Sequence, residues 1–274
     1  MMRLLIRLVV VFAASAAWAG EPVGAPRLWD SGRRIEKPDL SALRVIRFLS
    51  DDDYPPFMFQ GPDGALTGFN IDLARALCEE LKVVCTIQPR RFDTLAEALN
   101  EGRGDAAIAS LAMTAAAREK LGFTQPYYRT PGRFVMRKGA VADVSPQGLA
   151  GKPIAVAAGT AHEAFLRDFF PSVLRKPFET AALARAALKR GEVDALFGDG
   201  VTLSIWLEGT DAADCCRFEG GPYLASRYFG EGVGIAVRKD NIVLRQALDW
   251  ALARVADSGV YAELYLKYFP IGFF

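Results

Sequence analysis

The chain has 274 residues, with 33 Lys and Arg against 32 Asp and Glu, for a formal net charge of +1. A balance so close to neutral argues against nucleic-acid or membrane-surface partners, both of which call for a basic excess. A single histidine, and four cysteines without C-x-x-C spacing, argue against a zinc site, and no motif calls for a cofactor.

Residues 1–19, MMRLLIRLVVVFAASAAWA, join Arg3 and Arg7 to an apolar run that ends in Ala17-Trp18-Ala19. That is the pattern of a secretory signal peptide cleaved after Ala19, and the apolar run is short for a bilayer span. Cleavage removes two of the 33 basic residues and leaves 31 against 32 acidic ones. The expected mature chain is exported, soluble and monomeric. Residues 20–42, rich in Pro, Gly and charge, read as an irregular leader.

Strand and helix signals then alternate. RVIRFLS (44–50) reads as a strand, and Phe69, Leu73, Leu77 and Leu81 mark one face of a helix. VCTIQ (84–88) is a strand, 94–100 a short helix, DAAIASLAM (105–113) a further strand, and 115–121 a helix. A second series follows RFVMRK (133–138): a strand at 153–158, a helix from Gly159-Thr160 to Phe169, a helix at 181–190, the strand DALFG (194–198) and a helix at 201–207. VGIAVRK (233–239) returns as a strand before helices at about 241–257 and 260–269. Such alternation predicts α/β architecture, with mostly parallel sheets covered by helices, here in two lobes. Ligands in such folds sit at the carboxyl ends of the strands. Export permits disulfides. Of three possible connectivities, locality favours Cys78–Cys85 and leaves Cys215 and Cys216 either joined as a vicinal ring or unbonded.

The run YPPFMFQGPDGALTGFNIDLARALCEEL resembles the N-terminal lobe of bacterial family 3 periplasmic solute-binding proteins, the amino-acid receptors of ABC importers. GRGDAAIASLAMT, GEVDALFGD, GVGIAVRKDN and DSGVYAELYLKYF match in the same order. The spacing of Cys78 and Cys85 is similar to that in the lysine/arginine/ornithine- and histidine-binding members. The resemblance implies the type II periplasmic-binding-protein fold, in which two lobes joined by two hinge strands close over a ligand. Lobe 1 would then comprise 43–131 and 233–274, and lobe 2 would comprise 132–232.

The same resemblance implies a set of site residues. Tyr54 matches the aromatic that stacks on the ligand, and Phe92 falls where a second wall is expected; together they suit an amine or guanidinium. Asp51 matches the acid that faces a cationic side chain, with Asp52 and Asp53 beside it. Asp199 matches the carboxylate that receives an ammonium group, and it also suits the role of N-cap for the helix that follows. Gly159 and Thr160 open a helix whose N–H groups attract a carboxylate, whereas His162 in that turn reads as a surface residue. Ser110 and Thr114 can donate or accept hydrogen bonds at the cleft.

One departure matters. The family pattern T-x-x-R supplies an arginine that clamps the ligand carboxylate, but here Thr114 is followed by Ala115, Ala116, Ala117 and only then Arg118. Gapless alignment puts Ala117 at the clamp, and Arg118 about 100° further round the helix. Ala112 also stands where a hydroxyl is usual. Either Arg118, Arg129 or Arg133 reaches the carboxylate from another direction, or the ligand is an amine without one. The expected function is a non-catalytic periplasmic receptor that delivers a small amine-bearing solute to the membrane permease of an ABC importer. A periplasmic accessory or sensory binding protein is the alternative, with a cyclohexadienyl-dehydratase-like enzyme behind it. Against the enzyme, no arrangement of nucleophile, base and orienting group stands out.

Overall fold

The computed structural model describes residues 43–274 except 52, 141 and 142, together with Glu36, Pro38, Asp39 and Ser41. The expected signal peptide and most of the leader lie outside the described residues, as does Asp52. Among the described residues no helix is long and apolar enough to cross a membrane.

Two five-stranded sheets organise the chain. The first runs in the order Val84–Pro89, Val45–Ser50, Ala106–Ala107, Ala236–Arg238, Leu121–Phe123. Its first three strands are parallel, and Ala236–Arg238 enters antiparallel to both neighbours. The second runs Leu174–Phe178, Pro153–Ala157, Ala195–Asp199, Gly132–Arg137, Cys216–Tyr223, again with three parallel strands and an antiparallel entrant, Gly132–Arg137. In each sheet the antiparallel strand is the one the chain forms on crossing from the other lobe. This is the two-lobed periplasmic-binding-protein fold, with two hinge crossings.

Helices cover the sheets because their apolar residues recur at helical spacing. Phe69–Leu81 buries Phe69, Leu73, Leu77 and Leu81, the stripe read from the sequence, and ends at Lys82 in the left-handed region (φ 57°). Ala181–Arg190 begins at an N-cap, Thr180, and stops at Gly191, whose φ of 79° suits glycine. The first lobe has one continuous core; the second has one on each sheet face, because alternate residues of Gly132–Arg137 point to opposite sides, Phe134 and Met136 to one and Val135 to the other.

The chain's last residues make a further link. Phe273 is buried in the first lobe's core, its N–H donating to the Tyr265 hydroxyl (2.8 Å). Ile271 reaches the helix Gly200–Glu208 of the second lobe, donating its N–H to Glu208 (2.9 Å) and accepting from Ser204 (3.1 Å).

Cys78 and Cys85 are bonded, with Cα atoms 6.1 Å apart, and Cys215 is bonded to Cys216. Some expected elements differ. The strand expected over 105–113 is reduced to Ala106–Ala107, because the backbone turns at Ser110 (φ 55°) to enter the cleft. The returning strand expected at 233–239 is only Ala236–Arg238. Leu174–Phe178 and Cys216–Tyr223 are strands that sequence patterning did not reveal.

Candidate functional site

The first wall is built where the helix Phe69–Leu81 meets the loop before it. The first-turn N–H groups of Phe69 and Asn70 donate to the carbonyls of Pro56 (3.0 Å) and Phe57 (2.8 Å), which seats the loop on the helix end. Gly68 permits this approach. Its φ is 122°, and a Cβ there would lie 2.5 Å from the Phe57 carbonyl oxygen. The Tyr54 ring is thereby stacked on Phe57 (5.2 Å, 11°), and Phe57 on Tyr128 (4.8 Å, 24°). Phe57 and Tyr128 are buried, but Tyr54 remains 47% exposed, a flat aromatic face open to a ligand.

Asp51, half-buried, follows the buried Ser50 at the carboxyl end of Val45–Ser50, while Asp53 is exposed. Phe92 begins the short 3-10 turn Phe92–Thr94 just beyond the neighbouring strand's carboxyl end and is 51% exposed. Ser110, half-buried, belongs to a polar triangle with the buried Tyr127 and Asn70. Its N–H donates to the Tyr127 hydroxyl (3.3 Å), that hydroxyl donates to the Asn70 amide oxygen (3.0 Å), and the Asn70 amide nitrogen donates to Ser110 Oγ (3.1 Å). Burial pushes the Tyr127 hydroxyl pKa far up, so it stays a donor.

The second wall stands at the carboxyl ends of Pro153–Ala157 and Ala195–Asp199. Asp199 is the N-cap of Gly200–Glu208, accepting the Thr202 N–H at Oδ1 (2.7 Å), and it lines a cavity. That cavity, about 240 Å³, is lined by Thr160, His162, Arg185, Phe197, Asp199 and Thr202 among others. Burial, and then the charge of Asp199, raise the Tyr54 hydroxyl pKa, so the two walls lie within electrostatic reach of each other.

Gly159 and Thr160 close on themselves. Thr160 Oγ1 accepts the Glu163 N–H (3.3 Å), and the Glu163 carboxylate accepts the Gly159 N–H (2.7 Å), a pairing akin to a capping box. His162 is not the surface residue expected. It lines the cavity, stacks on Phe229 (4.9 Å, 25°), and its Nε2 is buried without a hydrogen-bond partner. Desolvation lowers its pKa, which the charge of Asp199 partly offsets.

The remaining positions separate. Thr114 caps Ala115–Lys120 by accepting the Ala117 N–H (3.1 Å), and it lines a second cavity, about 270 Å³, with Ala112, Thr130, Phe229 and Glu231. Ala117 packs against the first lobe's core. Arg118 is drawn off to Glu231 (2.5 Å) and does not lie with Tyr54 and Asp199; it lines a polar cavity shared with Arg129, Arg245 and Asp249. Arg133 is buried with its guanidinium 4.4 Å from the Phe218 ring, and it lines neither the Thr114 cavity nor the Asp199 cavity. Asn70, His162, Phe229 and Glu231 were missed as site residues. Only His162 carried a signal, two residues beyond the helix-opening Thr160.

Comparison with known proteins agrees with this architecture. The L-arginine-binding protein of Pseudomonas aeruginosa is 35% identical over 239 residues, covering 86% of this chain and 92% of the relative. The lysine/arginine/ornithine-binding periplasmic protein of Escherichia coli is 30% identical over 227 residues, covering 82% and 87%. A solved periplasmic binding protein of Salmonella typhimurium, described as having high arginine specificity, is 32% identical, covers 82% of this chain and 99% of its own, and superposes with a TM-score of 0.51. The family model for bacterial extracellular solute-binding proteins, family 3, matches residues 46–271, and the chain belongs to that family.

Proposed function

We propose that the protein is a periplasmic receptor that captures a small amine-bearing solute, an amino acid or a related compound, and presents it to the membrane permease of an ABC importer. Lobe 1 is assigned residues 43–131 and 233–274, and lobe 2 residues 132–232, with residues 1–19 as the export signal. The observation that carries the reading is the pairing of an open aromatic face, Tyr54 on Phe57 and Tyr128, with the cavity-lining carboxylate of Asp199 on the other lobe, whose charge reaches Tyr54. Aromatic faces attract cations, and a carboxylate in a closing, water-poor cleft holds an ammonium by charge-assisted hydrogen bonds. Relatives named for arginine and for lysine, arginine and ornithine support a cationic solute, and their names as binding proteins support a receptor over an enzyme.

Thermal unfolding of refolded, ligand-stripped mature protein tests this against a panel of basic amino acids and amines. A ligand at 100 times its dissociation constant adds about 2.7 kcal/mol, which at this chain length raises the midpoint by several degrees. At least one cationic member should produce that shift. A midpoint unmoved across the whole panel would remove the receptor reading.

A further inference from the structure

The cavity at the second wall carries two opposite charges that do not meet. Asp199 and Arg185 both line it, yet they form no ion pair with each other. Among the described residues no acid pairs with Arg185 at all. Its guanidinium lies 5.9 Å from the Trp206 ring, a contact that orients the cation without neutralising it. Arg185 stands one turn beyond Ala181 on the helix Ala181–Arg190, and both residues line the cavity, so one face of that helix is turned to it. His162 adds a buried Nε2 that has no hydrogen-bond partner. A cation and an anion held apart around one cavity complement a guest that carries both charges. A zwitterion fits, with its ammonium on Asp199 and its carboxylate on the planar fork of Arg185.

No other arginine takes that place. Ala117 stands at the family's clamp position and packs into the first lobe's core, and Arg118 is paired with Glu231. Arg129 Nε and Arg133 Nε and Nη1 are also buried without partners, but neither residue lines the Asp199 cavity.

Resting on the receptor reading, we propose that Arg185 receives the ligand's carboxylate, so that the solute is a basic α-amino acid whose zwitterionic end is held by the second lobe alone. Asp199 takes the ammonium beside it, and the side-chain cation reaches the Tyr54 face. The carboxylate clamp has thereby moved from the helix Ala115–Lys120 to the helix Ala181–Arg190.

The test titrates ligand-stripped mature protein calorimetrically with three pairs: arginine and agmatine, lysine and cadaverine, ornithine and putrescine. The members of each pair differ only by the carboxylate. In the wild type, the amino acid of at least one pair should bind at least about tenfold more tightly than its amine. Arg185→Met removes the charge but keeps an unbranched stem near Trp206. It should cut that preference at least about fivefold, through a loss for the amino acid alone. Arg185→Gln removes the charge by a second route and should act alike. Arg185→Lys should restore part of the preference, and Arg118→Ala should leave it unmoved. No preference for an amino acid in the wild type, or equal effects of Arg185→Met and Arg185→Gln on both members of a pair, would overturn the proposal and leave the receptor reading standing. Collapse of the preference in Arg118→Ala would do the same. Failure of all six compounds to bind would overturn both.

Discussion

Asp199→Asn should weaken binding of the cationic ligand at least about tenfold, or about 1.4 kcal/mol, while leaving the ligand-free protein's unfolding midpoint within about a degree. The two readouts separate because Asp199 both caps a helix and lines the cavity proposed to hold the ligand. Oδ1 accepts the Thr202 N–H and opens the helix Gly200–Glu208. Asparagine serves as an N-cap about as well as aspartate, so the helix start survives the change. What is lost is the charge on the cavity side, and a hydrogen bond to an ionised partner is worth about 1.5–3 kcal/mol. Asp199→Ala would remove both roles and blur the result. Calorimetric titration alongside thermal unfolding reads both quantities. Unchanged affinity in Asp199→Asn would take Asp199 out of the site.

Phe57→Ala is expected to have the largest effect on stability. Phe57 is almost fully buried and packs against Tyr54, Phe69, Tyr128 and Phe269. Truncating such a ring costs about 3–5 kcal/mol, part from lost burial and part from the cavity left behind. The same ring is the seat of Tyr54, so affinity should fall as well, even though Phe57 itself is shielded from the ligand. Urea unfolding measures the first effect. Titration at a temperature where the variant is fully folded measures the second. A loss below about 1 kcal/mol would show that the Tyr54–Phe57–Tyr128 column does not hold the first lobe together as described.

How much was legible in the sequence depended on how local each signal was. The helix Phe69–Leu81 follows from apolar residues four apart, and Ala181–Arg190 from its cap and its terminal glycine, so both were readable. Leu174–Phe178 is an edge strand carrying Pro177, a residue that argues against strand in any local reading. Cys216–Tyr223 was hidden by Gly220-Gly221-Pro222, where its register shifts between Glu219 and Tyr223. Ile108 and Ala109 are apolar and buried, as a strand's residues would be, yet the ladder ends because Ser110 turns the backbone toward Asn70 and Tyr127.

The site divides in the same way. Tyr54 and Asp199 lie in runs with recognisable neighbours, at the ends of elements that could be placed from the sequence. Glu231 stands between Gly230 and Gly232 with no periodicity around it, and its partner Arg118 is 113 residues away. Only the fold brings the two together, and only the fold shows that Arg118 turns from the cleft. The displacement of Arg118 past Ala117 was readable as a helical rotation, but its destination was not.

The account turns on a cation held between the two lobes, and a crystal structure of the mature protein with its tightest cationic ligand tests that directly. The expected complex has the ligand's cationic group within about 3.2 Å of Asp199 Oδ2, Oδ1 still accepting from Thr202, and the ligand packed on the Tyr54 face. A ligand bound elsewhere, or within the cleft but away from both Asp199 and Tyr54, would contradict it.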